Sequence, residues 1–220
     1  MEIDLNQGVI AHLISACSAH HRHLCPRQVL GLRIGLAGAA RLGLETPRED
    51  KRLLVIVETD GCFVDGISVA SGCTVGHRTL RLEDCGKVAA TFVDVLSGEA
   101  FRIAPRLDVR QRAWSFAPGE TRRYFAQLQA YPIMPDDELM SMEEVQLATP
   151  VQTLISRPGL RVNCVECGEE IINKREIYID DAAFCRACAG QPYYLQKVPQ
   201  LATFKMGFAN INWPPANPGE

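Results

Sequence analysis

Nine cysteines stand among the 220 residues of the chain, an odd number, and they fall into two groups. Cys164-x2-Cys167 and Cys185-x2-Cys188 lie seventeen residues apart near the C-terminus. Each Cys-x-x-Cys knuckle bends so that both sulfurs point to one centre. Two such knuckles complete the tetrahedron of a structural zinc site, with Zn–S near about 2.3 Å. Gly168 suits the tight turn after the second sulfur. A disulfide framework is disfavoured by the odd count and the lack of a secretion signal, and an iron–sulfur cluster fits the paired spacing less well than zinc. A filled four-thiolate site has no open position, so its expected role is folding rather than chemistry.

The other five cysteines and all five histidines lie within the first 85 residues. His21-x-His23-x-Cys25-Pro26 sets three ligand-type side chains at alternate positions, where an extended segment turns them to one face. Pro26 suits the first turn of a helix, and a helix N-terminus at Cys25 favours a thiolate able to ligate or react. Asp60-Gly61-Cys62 with Asp65 follows a buried strand, and Gly72-Cys73-Thr74-Val75-Gly76-His77 comes one short helix later. A borderline-soft ion such as Zn²⁺ accepts imidazole and thiolate together. His23, Cys25, Cys62 and Cys73 are punctuated by Gly, Pro and Asp, unlike core residues on an apolar stripe. Cys17 and Cys85 read as ordinary small side chains, and His12 and His20 as surface or supporting groups.

These residues need a folded frame. The chain is 47% hydrophobic and 22% charged with a net charge of −3, the balance of an ordinary globular protein rather than a disordered or coiled-coil one. No global basic excess points to nucleic acid. Over 161–190, four basic residues face six acidic ones, which argues against a phosphate-binding zinc finger. No apolar run reaches the roughly 18 residues that span a bilayer, and Met1-Glu2-Ile3-Asp4 does not open a signal peptide, so a cytoplasmic location is expected. Cys85-Gly86-Lys87-Val88 resembles the end of a phosphate-binding loop, but Arg81 stands where glycine is required and no Ser or Thr follows the lysine.

The periodicity predicts helices over 5–19 and from Pro26 to Arg41, the latter with Gly31, Gly35 and Gly38 packed closely on another backbone. It predicts a buried strand over Leu53–Thr59, a short helix ending near Gly72, and strands over Lys87–Leu96 and Ala100–Ala104 paired antiparallel. Helical character over Asp108–Ala130 breaks at Pro118-Gly119, and a further short helix is expected over Glu138–Leu147. Ile177–Ile179 suggests a hairpin between the knuckles, and a helical turn is expected to begin at Cys188. The expected class is α+β: a mixed helix and antiparallel-sheet core domain over 1–155, a treble-clef or zinc-ribbon-like module over 160–195, and an irregular tail over 196–220.

His23-Leu24-Cys25-Pro26, Glu58-Thr59-Asp60-Gly61-Cys62-Phe63-Val64-Asp65-Gly66-Ile67, Gly72-Cys73-Thr74-Val75-Gly76-His77 and Asp84-x-Gly86-Lys87-Val88-Ala89 together resemble the FmdE family of formylmethanofuran dehydrogenase proteins over about residues 12–135. The four-cysteine module is similar to the zinc finger that many members append. Arg27 stands where members often have glycine, Cys85 replaces a usual aromatic, and His77 replaces Asn or Lys. The resemblance implies an α+β core, a metal near the His-x-Cys and Asp-Gly-Cys segments, dimerisation, and a link to molybdenum- or tungsten-dependent one-carbon redox metabolism. On this reading His23 and Cys62 are the leading core ligands for a second zinc or other transition ion, with Cys25 and Cys73 next and His21 and Asp65 beside them. Cys25, Cys62 and Asp65 are the candidate catalytic groups, acting on a small-molecule substrate or with a partner metalloenzyme. The alternatives are an accessory protein that handles or senses a metal or cofactor, and a zinc-finger interaction protein without catalysis.

Overall fold

The structure, a computed structural model, describes residues 2–19, 23–155 and 159–195, with 2–7 and 19 by backbone alone. The tail expected over 196–220 lies outside them, as do His20 and His21. The chain divides into two compact units, residues 1–156 and 157–220. Among the described residues no helix is long and apolar enough to cross a membrane.

The first unit is a five-stranded sheet of order β2-β1-β3-β4-β5, with β1 Leu53–Val57, β2 Leu80–Leu82, β3 Ala90–Asp94, β4 Ala100–Pro105 and β5 Met140–Glu144. All neighbours run antiparallel except β1 and β2, which are parallel in the register Val55 opposite Leu80. Alternation along the strands separates two faces. Val55, Val57, Phe92, Phe101 and Ile103 enter one buried cluster with Val29, Ile34, Phe63 and Ile67. Leu54, Val93 and Ala100 pack on the opposite side with Val151.

Helix α1 (Glu2–Ala19), α2 (Pro26–Arg41) and α3 (Cys62–Ser71) build the helical layer. α2 and α3 touch backbone to backbone. A Cβ on Gly31 would lie 2.1 Å from the Phe63 carbonyl oxygen, and one on Gly66 would lie 2.1 Å from that of Gln28. One on Gly35 would meet the Ala70 Cβ at 2.7 Å. Gly31 faces Phe63 and Ile67, and Gly35, one turn later, faces Ile67 and Ala70, so the two helices advance together and run parallel with their N-termini at the same end. Gly38 differs from the expectation: it clears the Phe92 ring rather than a backbone.

After β4 come α4 (Val109–Arg112), a 3₁₀ turn over Ala113–Phe116, and α5 (Arg123–Ala130), so the expected break is real. The helix expected over Glu138–Leu147 is not formed. A short α6 (Asp136–Leu139) ends where β5 begins, and β5 pairs with β4 from Pro105 opposite Met140 to Phe101 opposite Glu144. Met-Ser-Met-Glu-Glu has no strong strand preference of its own, so pairing with an open sheet edge decides its state. The short β2 is likewise invisible to periodicity; it is fixed by its parallel ladder to β1. Helix α7 (Val151–Leu154) closes this unit.

The second unit holds two hairpins: β6 (Arg161–Asn163) with β7 (Glu170–Ile172), and β8 (Ile177–Ile179) with β9 (Ala182–Phe184). The turn residues Asp180 and Asp181 both take positive φ, 48° and 63°, the conformation that matches a two-residue hairpin turn to the twist of its strands. Beyond Cys185 the chain makes successive hydrogen-bonded turns, Ala189 N–H to Cys185 O and Gln191 N–H to Arg186 O, and no regular helix begins at Cys188.

Candidate metal centre and thiol cleft

The four-cysteine group assembles as its spacing requires. Its Sγ atoms all lie within 4.8 Å of one another, and Cys167 Sγ stands 4.0 Å from Cys185 Sγ. A tetrahedron with 2.3 Å Zn–S bonds has edges of about 3.8 Å, so the donor set fits a zinc-sized ion. The first knuckle hangs between β6 and β7, closed by Gly168 N–H donating to Cys164 O at 2.9 Å with Gly168 at φ 76°. Val165 N–H donates to Ala183 O at 2.9 Å and so ties that knuckle to the strand that delivers Cys185. Cys185 N–H points at Cys164 Sγ (3.3 Å) and Cys188 N–H at Cys185 Sγ (3.4 Å). Backbone amides of Cys167 and Cys185 pull the Cys164 thiol down to about 6. Hydrogen bonding to Cys185 and loss of solvent push Cys188 up to about 12. The first thiolate of such a cluster forms readily and the last resists, and a divalent cation removes that resistance.

The first unit brings together a different pair. β1 ends at Val57, and Glu58 to Gly61 carry the chain into α3. Gly61, at φ 75° and ψ −155°, occupies a conformation open chiefly to glycine. The Glu58 carboxylate takes both nitrogens of the Arg102 fork, at 2.5 and 2.9 Å, and Glu58 O accepts from Cys85 N–H and Lys87 N–H. The entry to α3 is thereby pinned to β4 and to the 85–87 loop. Cys62 opens α3 at the carboxyl end of a parallel strand pair, where α/β units bind ligands. Cys25 caps α2 in extended conformation, its N–H donating to Gln28 Oε1 at 2.9 Å. Gln28 is itself fully buried and donates to Cys17 O at 3.4 Å, tying the cap to α1. Because α2 and α3 run parallel in glycine contact, Cys25 and Cys62 come to the wall of one cleft, near enough for the Cys25 thiol to act on Cys62. The pKa of Cys62 is raised, first by burial, then by the Cys25 thiol and Asp65. Those effects outweigh the helix N-terminus, which by itself favours the thiolate.

The two thiols lie on the wall of a cleft of about 690 Å³. Sequence reasoning did not find the rest of it. Arg27, Arg106, Arg110 and Arg123 line it with Tyr124 and Tyr131, and among the described residues no carboxylate does. Tyr124 donates its hydroxyl to Leu24 O at 2.7 Å, fastening α5 to the segment before Cys25. Burial raises the pKa of its phenol, and the neighbouring Cys25 and Cys62 raise it further. The cleft's far wall is held by Arg33 of α2, whose guanidinium donates to Tyr131 O, Met134 O and Asp136 at 2.7–2.8 Å. Arg106 after β4, Arg110 in α4 and the single arginines of α2 and α5 carry no local pattern that would have flagged them.

The remaining sequence candidates divide. His23 is exposed two residues before Cys25, and Asp65 lies one turn into α3, near Cys62 and Cys17. Cys73 is not brought to the pair. It follows the C-cap Gly72 at the other end of α3, about 15 Å from Cys62 at 1.5 Å per residue. It is 1% exposed, its Sγ donates to Leu53 O at 3.5 Å, and burial raises its pKa. Glycine punctuation at Cys73 thus marks a helix end rather than a ligand. Cys17 is a buried core thiol, pushed up to about 11 by burial, and Cys85 is exposed. Among the described residues, the four C-terminal cysteines are the one group of three or more His, Cys, Asp or Glu ligand atoms close enough to share an ion.

Comparison with known proteins agrees with this architecture. A crystallised tungsten formylmethanofuran dehydrogenase FmdE-like protein from Syntrophus aciditrophicus superposes with a TM-score of 0.54 at 20% identity, over 84% of this chain and 95% of that one, a likeness of fold. A probable S-adenosyl-L-methionine-binding protein of Archaeoglobus fulgidus is 37% identical over 92 residues; the match takes in 40% of this chain but 25% of that relative's length. The family described as FmdE, molybdenum formylmethanofuran dehydrogenase operon, matches residues 20–148. With the match running through α2, α3 and the whole five-stranded sheet, the chain belongs to the FmdE family.

Proposed function

We propose that this FmdE-family chain is a two-site metalloprotein. A zinc ion in the four-cysteine group holds the second unit together, and Cys25 and Cys62, with His23 beside them, bind a second transition ion that works on a small molecule in the cleft. The observation that carries the reading is the meeting of two thiols from separate helix N-termini on the wall of a cleft large enough for a metabolite. An ion there would act as a Lewis acid on a ligand oxygen. The chain's own residues supply the rest. The parallel N-termini of α2 and α3 favour negative charge at the sulfurs, Tyr124 stands beside them with a phenolic proton, and Asp65 supplies a carboxylate one turn away. The family's description, molybdenum formylmethanofuran dehydrogenase operon, supports extending the reading to molybdenum- or tungsten-dependent one-carbon redox metabolism. The ligand in the Archaeoglobus relative's name, a sulfonium cation, is a poor electrostatic match for a cleft lined by four arginines.

The test is metal stoichiometry of the full chain by plasma mass spectrometry. Wild type is expected to hold about two ions, and both Cys164→Ser/Cys185→Ser and Cys25→Ser/Cys62→Ser about one each. A Cys164→Ser/Cys185→Ser protein that remains folded by circular dichroism and binds no ion overturns the core site.

A further inference from the structure

We infer that the cleft beside Cys25 and Cys62 takes a multiply anionic small molecule, bearing carboxylate or phosphate groups, whose charges are held by Arg27, Arg106, Arg110 and Arg123. The inference deepens the preceding reading by naming the ligand class of the same site, and it rests on that reading for where the ligand's uncharged part lies.

The four arginines come from four separate elements: Arg27 from the first turn of α2, Arg106 from just beyond β4, Arg110 from α4 and Arg123 from the start of α5. Their convergence is a property of the fold, not of a basic stretch of sequence. It also occurs in a chain of net charge −3. Elsewhere in the first unit five arginines are answered by carboxylate, Arg33 by Asp136, Arg48 by Asp50, Arg52 by Asp94, Arg102 by Glu58 and Arg112 by Asp108, and Arg41 lies over the Phe101 ring. In the cleft the pattern breaks. The guanidinium groups of Arg27, Arg110 and Arg123 make no hydrogen bond or ion pair among the described residues, and that of Arg106 reaches only Asp108 at 3.5 Å and Asp137 O at 3.3 Å. Unanswered guanidinium forks around a concavity are what bidentate capture of carboxylate or phosphate uses. The parallel helices add their positive ends to the same region.

The volume, about 690 Å³, lies within the range of small-molecule sites. Leu30, Val88 and Tyr131 give the wall an apolar part, so the ligand carries an uncharged portion as well as its anionic groups. A nucleic-acid backbone would need a basic track continuing over the surface. Here the cations close around one concavity.

The experiment is calorimetric titration of the full chain at low ionic strength with tricarballylate and, separately, fructose 1,6-bisphosphate, both weak chelators. These two arms separate a carboxylate from a phosphate ligand. Arg27→Gln/Arg110→Gln/Arg123→Gln removes exposed guanidinium groups that hold no hydrogen bond or ion pair among the described residues. It is expected to weaken the better probe by at least about 30-fold, at roughly tenfold per charge-assisted contact with partial compensation by Arg106. Lys174→Gln/Arg175→Gln/Arg186→Gln removes the same charge from the second unit and is expected to leave the affinity within about twofold, as general screening alone would. Cys25→Ser/Cys62→Ser is expected to keep anion binding while losing one metal ion. Anion binding with no change in metal count in that variant would sink the thiol reading and leave this one standing. The assignment is overturned if wild type binds neither probe in the millimolar range, if both triple variants weaken binding equally, if the thiol variant loses it, or if a single-stranded oligonucleotide binds more tightly than either probe.

Discussion

Gly66→Ala tests whether helix contact assembles the thiol pair. The added methyl would sit 2.1 Å from Gln28 O and 2.7 Å from Leu32 N, both backbone atoms that no rotamer change can move. Ordinary contact begins at 3.4 Å, so α2 and α3 must part by about 1.3 Å locally in a core packed at crystal-like density. Overpacking of this kind costs about 1–3 kcal/mol, and the upper end applies because backbone opposes it. Alanine returns about 1 kcal/mol of helix propensity, leaving a net loss of about 2 kcal/mol. For a unit of this size that lowers Tm by about 4–8 °C. Gly8→Ala is the control: nothing lies within 4 Å of its Cβ position in α1, so the same exchange should raise Tm by a few degrees, about 1 kcal/mol of propensity with no clash. Thermal melts followed at 222 nm report both. Because Gly66 is one turn from Cys62, the separation also loosens the pair, and the ion proposed for the core site should dissociate more readily in competition with a chelator. The reasoning is refuted if Gly66→Ala is as stable as wild type, or if the two glycine variants shift in the same direction.

Other expectations follow from single contacts. Glu58→Gln should cost about 1–2 kcal/mol at neutral pH, the worth of a charge-assisted bidentate pair that is partly exposed. The pKa of Glu58 is lowered, first by hydrogen bonding from Arg102. Its contribution is therefore complete above the unfolded glutamate value near about 4.3 and fades as pH falls through the lower folded value. Urea melts of both proteins should converge toward pH 3, roughly a unit below that value, and a constant gap would reject the ion pair as the cause. Arg33→Lys should destabilise by about 2–3 kcal/mol because one ammonium cannot reach Tyr131 O, Met134 O and Asp136 together; a melt within about 0.5 kcal/mol of wild type would reject that anchoring role. Cys73→Ala should lower stability by about 1 kcal/mol through lost core volume and leave metal stoichiometry equal to wild type; loss of an ion would return Cys73 to the site.

What the sequence discloses depends on how local the cause is. The Cys164–Cys188 spacing is local geometry, so the four-sulfur centre could be read directly. The helix from Pro26, the strand from Leu53 and the helix ended by Gly72 carry caps and periodicity within themselves. β5 carries none, since Met140–Glu144 becomes a strand only against β4. Cys73 misled for a related reason. Glycine beside cysteine signals a special backbone, and here that backbone is the left-handed C-cap at Gly72, φ 76°, not a ligand loop. The arginine cleft was beyond reach because its four members are scattered from Arg27 to Arg123 and share no period.

Family resemblance placed Cys25 and Cys62 in one site, but nothing in either segment says how they come together, and that information sits in three glycines. Gly31, Gly35 and Gly66 look like weak points in two helices when each helix is considered alone. Together they form one complementary surface that sets the helices parallel at backbone distance. Parallel packing is what places both N-termini, both thiols and both positive helix ends at one point, with Arg27 carried there by the same turn of α2. The stability given up at each glycine is therefore inseparable from the site. A residue with a side chain at any of the three would part the two thiols before it disturbed the sheet, so loss of the proposed core metal should precede loss of fold along a series of Ala, Ser and Val at position 66. If fold and metal are lost together at the first member of that series, the glycines serve packing alone and the site has another origin.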